Sequence, residues 1–171
     1  GSGGTGTLQL LNNTTNTPFN NNLLFGNNSG QLTIGGTTAQ NARSHNVGAL
    51  SIGTATMTLV QANANANQAH SLVVGATTFT GNPTFTLNNV NGTGAASVGS
   101  LTLGALNDGG VSRTITKNGL GTLVLGSAAT SMTSGTTITA IGGTSSANSV
   151  VRIGNNSALG SATLILGDGV N

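Results

Sequence analysis

Cysteine, tryptophan and tyrosine are absent from these 171 residues, and only six side chains carry charge. Without cysteine there is no disulfide framework, no thiolate metal site and no cysteine nucleophile. Charged residues make up 4% of the chain, against about 25% in an ordinary soluble domain. The four cations, Arg43, Arg113, Lys117 and Arg152, are scattered. They cannot neutralise a run of phosphates, so nucleic acid is excluded as a partner. The sequence pI near 10.7 reflects a formal charge of only +2 on a nearly uncharged chain. No apolar run approaches the ~20 residues of a membrane helix, so this chain is not expected to insert in a membrane. There is no initiating Met and no basic or apolar leader segment, which reads as a processed form or a piece of something longer.

What remains is dominated by four small residue types: 28 Gly, 28 Thr, 23 Asn and 16 Ser. Such a composition invites a disordered reading, but hydrophobic residues are 36% of the chain and mean hydropathy is +0.13. Disordered chains usually combine low hydrophobicity with high net charge. The apolar residues also recur in a pattern, apolar–any–apolar–Gly. It reads Leu32-Thr-Ile-Gly35, Leu50-Ser-Ile-Gly53, Leu72-Val-Val-Gly75 and Leu101-Thr-Leu-Gly104. It returns as Leu123-Val-Leu-Gly126, Val151-Arg-Ile-Gly154 and Leu164-Ile-Leu-Gly167, and Leu8-Gln-Leu10 is the same unit without its glycine. A period of two sets both apolar side chains on one face of a strand. The glycine that follows suits a positive φ or a close approach of backbones. Between these units lie further β runs at 54–60, 77–80, 84–87, 112–116 and 136–141. Self-similarity on this length scale marks a solenoid. The expectation is a single all-β domain over residues 1–171, a parallel β-helix (β-solenoid) of about seven to eight coils of roughly 22 residues.

No i, i+3, i+4, i+7 apolar stripe with caps is present, so no helix is expected. The Ala/Asn alternation at 62–67 reads as an excursion loop, because Asn favours turns. Pro18 and Pro83 lie in Asn-rich stretches that also read as loops. Stacked coils place like residues on like, which favours aliphatic ladders inside, Asn and Thr ladders at corners, and little charge anywhere.

The C-terminal third resembles a known family. Ile115-Thr-Lys-Asn-Gly-Leu-Gly-Thr-Leu-Val-Leu-Gly126, then Ser134-Gly-Thr-Thr-Ile138, then Val151-Arg-Ile-Gly-Asn-Asn-Ser-Ala-Leu-Gly-Ser-Ala-Thr-Leu-Ile-Leu-Gly167 is similar to the autotransporter-associated β-strand repeat, also called the passenger-associated transport repeat. Residues 115–167 carry the match, Gly4-Thr-Gly-Thr-Leu-Gln-Leu10 resembles the same strand, and 11–110 agree only in style. The resemblance implies a right-handed parallel β-helix, secreted and displayed on a bacterial surface. It implies a structural and secretion element with no catalytic residues of its own.

The search for chemistry returns little, and no catalytic, cofactor-binding or metal site is expected. Carbohydrate cleavage needs paired carboxylates, but Asp108 and Asp168 are far apart and each precedes glycine in an ordinary turn context. His45 and His70 sit in polar stretches and read as solvated loop residues. No Gly-x-Ser-x-Gly elbow is present. The glycine pairs at 3–4 and 142–143 are followed by neither the lysine nor the helix of a phosphate loop. Asp108, Arg113 and Lys117 are close enough in sequence for a surface ion cluster of little energetic weight. Thr-x-Thr recurs at 54–58, 78–80, 84–86, 114–116 and 137–139. Threonine ladders of this kind bind ice in some other β-solenoids. The irregular spacers here argue instead for ordinary half-buried strands.

The ends of the coil are the candidate functional surfaces. Leu8, Gln9 and Leu10 near one end, and Leu164, Ile165 and Leu166 near the other, are apolar strands without a blocking charge or proline. Head-to-tail contact of unlike ends need not close and generates filaments. The expected function is therefore an extracellular structural solenoid on the bacterial surface. It would stack end to end with itself, or with neighbouring segments of a longer passenger, into a fibre or stalk. The alternative is an adhesin-type passenger fragment that binds glycans or a surface.

Overall fold

The computed structural model describes residues 5–65, 68–87, 99–141 and 149–167. Strands follow one another around three faces. The first turn contains β1 (Gly6–Leu11), β2 (Thr17–Pro18) and β3 (Leu23–Phe25), and the second β4 (Gly30–Gln40), β5 (Ser44–Val47) and β6 (Leu50–Ile52). The third contains β7 (Thr56–Ala64), β8 (Ser71–Val74) and β9 (Thr77–Phe79), and the fourth β10 (Thr84–Leu87), β11 (Ser100–Leu103) and β12 (Leu106–Asn107). Then come β13 (Thr114–Asn118) with β14 (Thr122–Leu125), β15 (Thr137–Ala140) with β16 (Val150–Ile153), and finally β17 (Thr163–Leu166). No helix occurs among the described residues.

Every strand pairing is parallel, and each strand pairs with its counterpart one turn away. Sheet A runs β1-β4-β7-β10-β13-β15-β17, sheet B runs β2-β5-β8-β11-β14-β16, and sheet C runs β3-β6-β9-β12. The chain is thus an all-β, three-sided solenoid. Sheet B brackets five turns, and sheet A extends one strand further. On sheet C the ladder beyond β12 is reduced to a single bridge between Asn107 and Ser131.

This is fewer and longer turns than the sequence period indicates. Register steps range from 22 residues (Leu101 to Leu123) to 32 (Phe85 to Lys117), and Leu23 to Leu50 is 27. The apolar–any–apolar–Gly unit occurs on all three sides: Leu32 on sheet A, Leu50 on sheet C, Leu72 on sheet B. Intervals between successive units therefore mix whole turns with fractions of a turn, which shortens their mean and inflates the coil count.

Ladders of like side chains fill the bore. On sheet B Leu72, Leu101, Leu123 and Val151 stack in one row, and Val47, Val74, Leu103, Leu125 and Ile153 in the next. On sheet A the row is Leu8, Leu32, Leu59 and Leu87. Phe79 and Phe85 are buried and meet edge to face, with ring centroids 6.5 Å apart. After every sheet B strand except β2 the chain turns a corner at glycine. Gly75 N–H donates to Gly48 O (2.9 Å) and Gly104 N–H to Gly75 O (3.1 Å). A Cβ on Gly104 would lie 2.4 Å from Gly75 O. There the glycine serves close approach between turns rather than positive φ; Gly167, at φ 96°, is the left-handed case.

Two loop assignments change. The 62–67 stretch is not simply an excursion: β7 runs on through Ala64, and Ala62 and Ala64 pair with Gly35 and Gln40 across a register shift. Residues 66 and 67 lie outside the described residues. Pro18 belongs to strand β2. That strand is the edge of sheet B, where a missing N–H costs no ladder bond. Pro83 does lie between strands, immediately before β10.

Candidate functional site: the two ends of the coil

At each end the ladders stop and their last rungs are uncovered. Leu8 stacks on Leu32 on the bore side of sheet A. Leu32 is buried, but Leu8 is 42% exposed because no turn lies above it. Gln9 is exposed, and Leu10, stacked on Ile34, is buried. Beside them Leu23 and Phe25 are only half-buried. A cavity of about 620 Å³ opens here, lined by Leu8, Leu23, Leu24, Phe25 and Leu32 among others.

The opposite end is similar in kind. Leu164 stacks on Ile138 and Leu166 on Ala140, again in bore-facing rows. Leu164 is half-buried, Ile165 is 37% exposed and Leu166 72%. On sheet B, Ile153 stacks on the buried Leu125 yet is itself exposed. The six residues singled out from sequence thus divide into two groups on the terminal strands of sheet A, β1 and β17. One polar edge of each of those strands has no neighbour within the described chain.

Sheet B corrects the expectation that nothing guards the ends. Pro18 lies in its terminal strand β2 and removes one donor there. Arg152 lies exposed in its other terminal strand, β16. Both are devices that discourage edge pairing. Both terminal strands of sheet A are free of charge and proline. Periodicity had located the strands but not the sheet to which each belongs, so these two residues were missed.

The remaining polar residues have structural surroundings. Asp108 is fully buried rather than part of a surface ion cluster. Its carboxylate accepts from Thr133 N–H (2.6 Å), Thr136 Oγ (2.7 Å), Gly110 N–H (2.9 Å) and Thr133 Oγ (3.0 Å). Burial opposes its charge, but these donors outweigh it and hold the carboxyl below its ordinary pKa. Lys117 is also buried, on the bore side of β13. Its Nζ donates to Gly119 O and to Ser149 Oγ (2.6 Å), and burial pushes its pKa down to about 8. Asp168 lies outside the described residues.

His45 and His70 are not solvated loop residues. His45 lies in β5, His70 directly precedes β8, and both are fully buried. Their ring centroids are 6.4 Å apart, and Phe19 packs against His45 at 5.8 Å. Arg43 N–H donates to His70 Nδ1 (3.1 Å), which leaves the ring hydrogen on Nε2. Both nitrogens of His45 and Nε2 of His70 are buried without a well-formed hydrogen bond. Burial pushes both pKa values down, reinforced for His45 by the neighbouring His70. With His70 Nδ1 already accepting, Nε2 of the same neutral ring has no lone pair for a metal. Among the described residues no group of three or more potential metal ligands is assembled.

No family model, curated protein or solved structure matches this chain.

Proposed function

We propose that this chain is a structural β-solenoid of the bacterial exterior. It stacks end to end with copies of itself, or with neighbouring segments of a longer passenger, into a fibre or stalk. The similarity of residues 115–167 to the autotransporter-associated repeat supports the surface location and the right-handed sense of the coil. One observation carries the stacking. Of seven large exposed hydrophobic side chains among the described residues, six lie on strands that end a sheet: Leu8, Leu24, Val150, Ile153, Ile165 and Leu166. The seventh, Val111, lies in a loop. Of these, Leu8, Ile153 and Leu166 stand in bore-facing rows that end-to-end contact would cover, at about 1.5–3 kcal/mol for each large side chain fully covered, while Leu24, Val150 and Ile165 face outward on the same terminal strands.

In this reading β17 of one copy pairs with β1 of the next, and the bore rows continue through Leu164 and Leu166 to Leu8 and Leu10. The ends are unlike, so the contact is heterologous and repeats without closing. Scarcity of charge favours the association. The adhesin reading gains no aromatic platform for sugar: Phe79 and Phe85 are buried, Phe25 lines the end cavity and Phe19 packs on His45.

Sedimentation and negative-stain imaging of the purified chain test the proposal. Filaments or stacks that lengthen with concentration are expected. Leu166→Lys, or Gln9→Lys with Leu10→Lys, should abolish them. An unmodified chain that stays monomeric at high concentration, or filaments indifferent to these substitutions, would overturn it.

A further inference from the structure

The spacers between Thr-x-Thr segments are irregular, but the fold brings the segments themselves into register. Four successive strands of sheet A each carry one: Thr56-Met-Thr58 on β7, Thr84-Phe-Thr86 on β10, Thr114-Ile-Thr116 on β13 and Thr137-Ile-Thr139 on β15. Thr56 stands beside Thr84, Thr84 beside Thr116, and Thr116 beside Thr139, a column crossing four turns. A second column holds Thr114, Thr137 and Thr163. A third holds Thr58 and Thr86. Parallel strands lie about 4.8 Å apart, and alternate residues of one strand about 6.6 Å. The result is a two-dimensional lattice of hydroxyl and methyl groups on the outside of one sheet.

Three features set this face apart. Its backbone is anchored from within, because the intervening Met57, Phe85, Ile115 and Ile138 are all buried. None of the nine lattice hydroxyls is engaged by another described group: Thr56 and Thr114 bond side chains only through their backbone N–H, to Ser29 and Asn82. No charge interrupts it, since Lys117 on the same strands points into the bore. Sheet B has no comparable array. One of its outward columns reads Asn46, Val73, Thr102, Val124 and Arg152; the other reads Ser44, Ser71, Ser100, Thr122 and Val150, in which only Thr122 sets a methyl beside its hydroxyl and Ser71 Oγ already donates to Arg43 O.

We propose that the outer face of sheet A, from β7 to β17, binds ice. Each hydroxyl, unclaimed by the protein, is free to hold a water molecule, and the methyl between neighbouring hydroxyls limits how those waters reorient. The array repeats about every 4.8 Å across the strands and about every 6.6 Å along them, and ice binding requires water ordered on these two repeats to continue into the ice lattice. Charged groups would impose hydration shells of their own, and none stands in the three columns. Binding of this kind does not require the chains to stack.

Growth of an ice hemisphere from a dilute solution of the chain tests the proposal, with the fraction of protein carried into the ice as readout. The unmodified chain should be enriched in ice. Thr116→Lys and Thr84→Lys, each placing a charge in the longest column, should be excluded from it. Thr102→Lys, an outward substitution on sheet B, should remain enriched. Circular dichroism identifies any variant that fails to fold, and the other lattice variant then carries the comparison. Exclusion of the unmodified chain, enrichment of a folded lattice variant, or loss of enrichment in folded Thr102→Lys would each overturn the proposal.

Discussion

His45 occupies a position that the bore assigns to an aliphatic side chain. One turn on, the same row holds Leu72, then Leu101. A buried imidazole whose ring nitrogens lack well-formed hydrogen bonds costs about 1–3 kcal/mol, and burial, then His70 and Arg43, oppose its protonation more than the Gly35 carbonyl favours it. The sign of the pH dependence follows from the pKa directions. Both histidines titrate below 6.5 when folded, so the unfolded chain takes up protons first as the pH falls. Stability is therefore greatest above about pH 7 and declines as the pH drops through 6.5 toward the folded values. His45→Leu removes one of these sites and extends the leucine row. We expect it to raise Tm, and to raise it more at about pH 5 than at about pH 8. Melting curves at the two pH values check this; an equal shift at both would contradict it. Neither buried histidine was legible in the sequence. Their polar neighbours suggested solvent, and only the register shows that one shares a row with leucines.

The strand ladders carry the stability of the individual turns. Leu101 and Leu123 are fully buried in adjacent rungs of sheet B. Leu101→Ala should cost about 2–5 kcal/mol through lost burial and the cavity left behind. Thr102→Ala, one residue along and facing outward, should cost well under 1 kcal/mol. Denaturant unfolding of the two variants makes the comparison, and similar costs would mean that the inward and outward rows are misassigned. Much at this scale was legible. Alternation located the strands of the repeated unit, and the β run at 84–87 coincides with β10. Alternation marks a strand and its inner face, but it is silent on which of three sheets receives that strand. Hence the coil length came out short. The Ala/Asn stretch that continues β7 has little apolar content and gave no strand signal, although its backbone extends the ladder with β4.

At the scale of the whole molecule, a parallel coil has no intrinsic stopping point, since every turn offers the next the same unpaired edge. The six end residues were legible because a strand without charge or proline reads as unguarded. The guards at Pro18 and Arg152 were not, because recognising them requires knowing that β2 and β16 end the same sheet. Sheet A is therefore the side on which stacking should be registered, with Ile165 of one copy opposite Gln9 of the next. The chain contains no cysteine, so a single pair can be introduced without background. In Gln9→Cys with Ile165→Cys, the two thiols of one chain lie at opposite ends of sheet A, while stacked copies would bring them to adjacent-strand distance. Neighbouring strands fall within the ~4.4–6.8 Å Cα separation that a disulfide spans. Oxidation followed by a non-reducing gel is the most direct measurement of the stacking. A regular ladder of covalent multimers that collapses to monomer on reduction is the predicted result. A monomer band alone, from folded protein at concentrations where stacks should form, would contradict it.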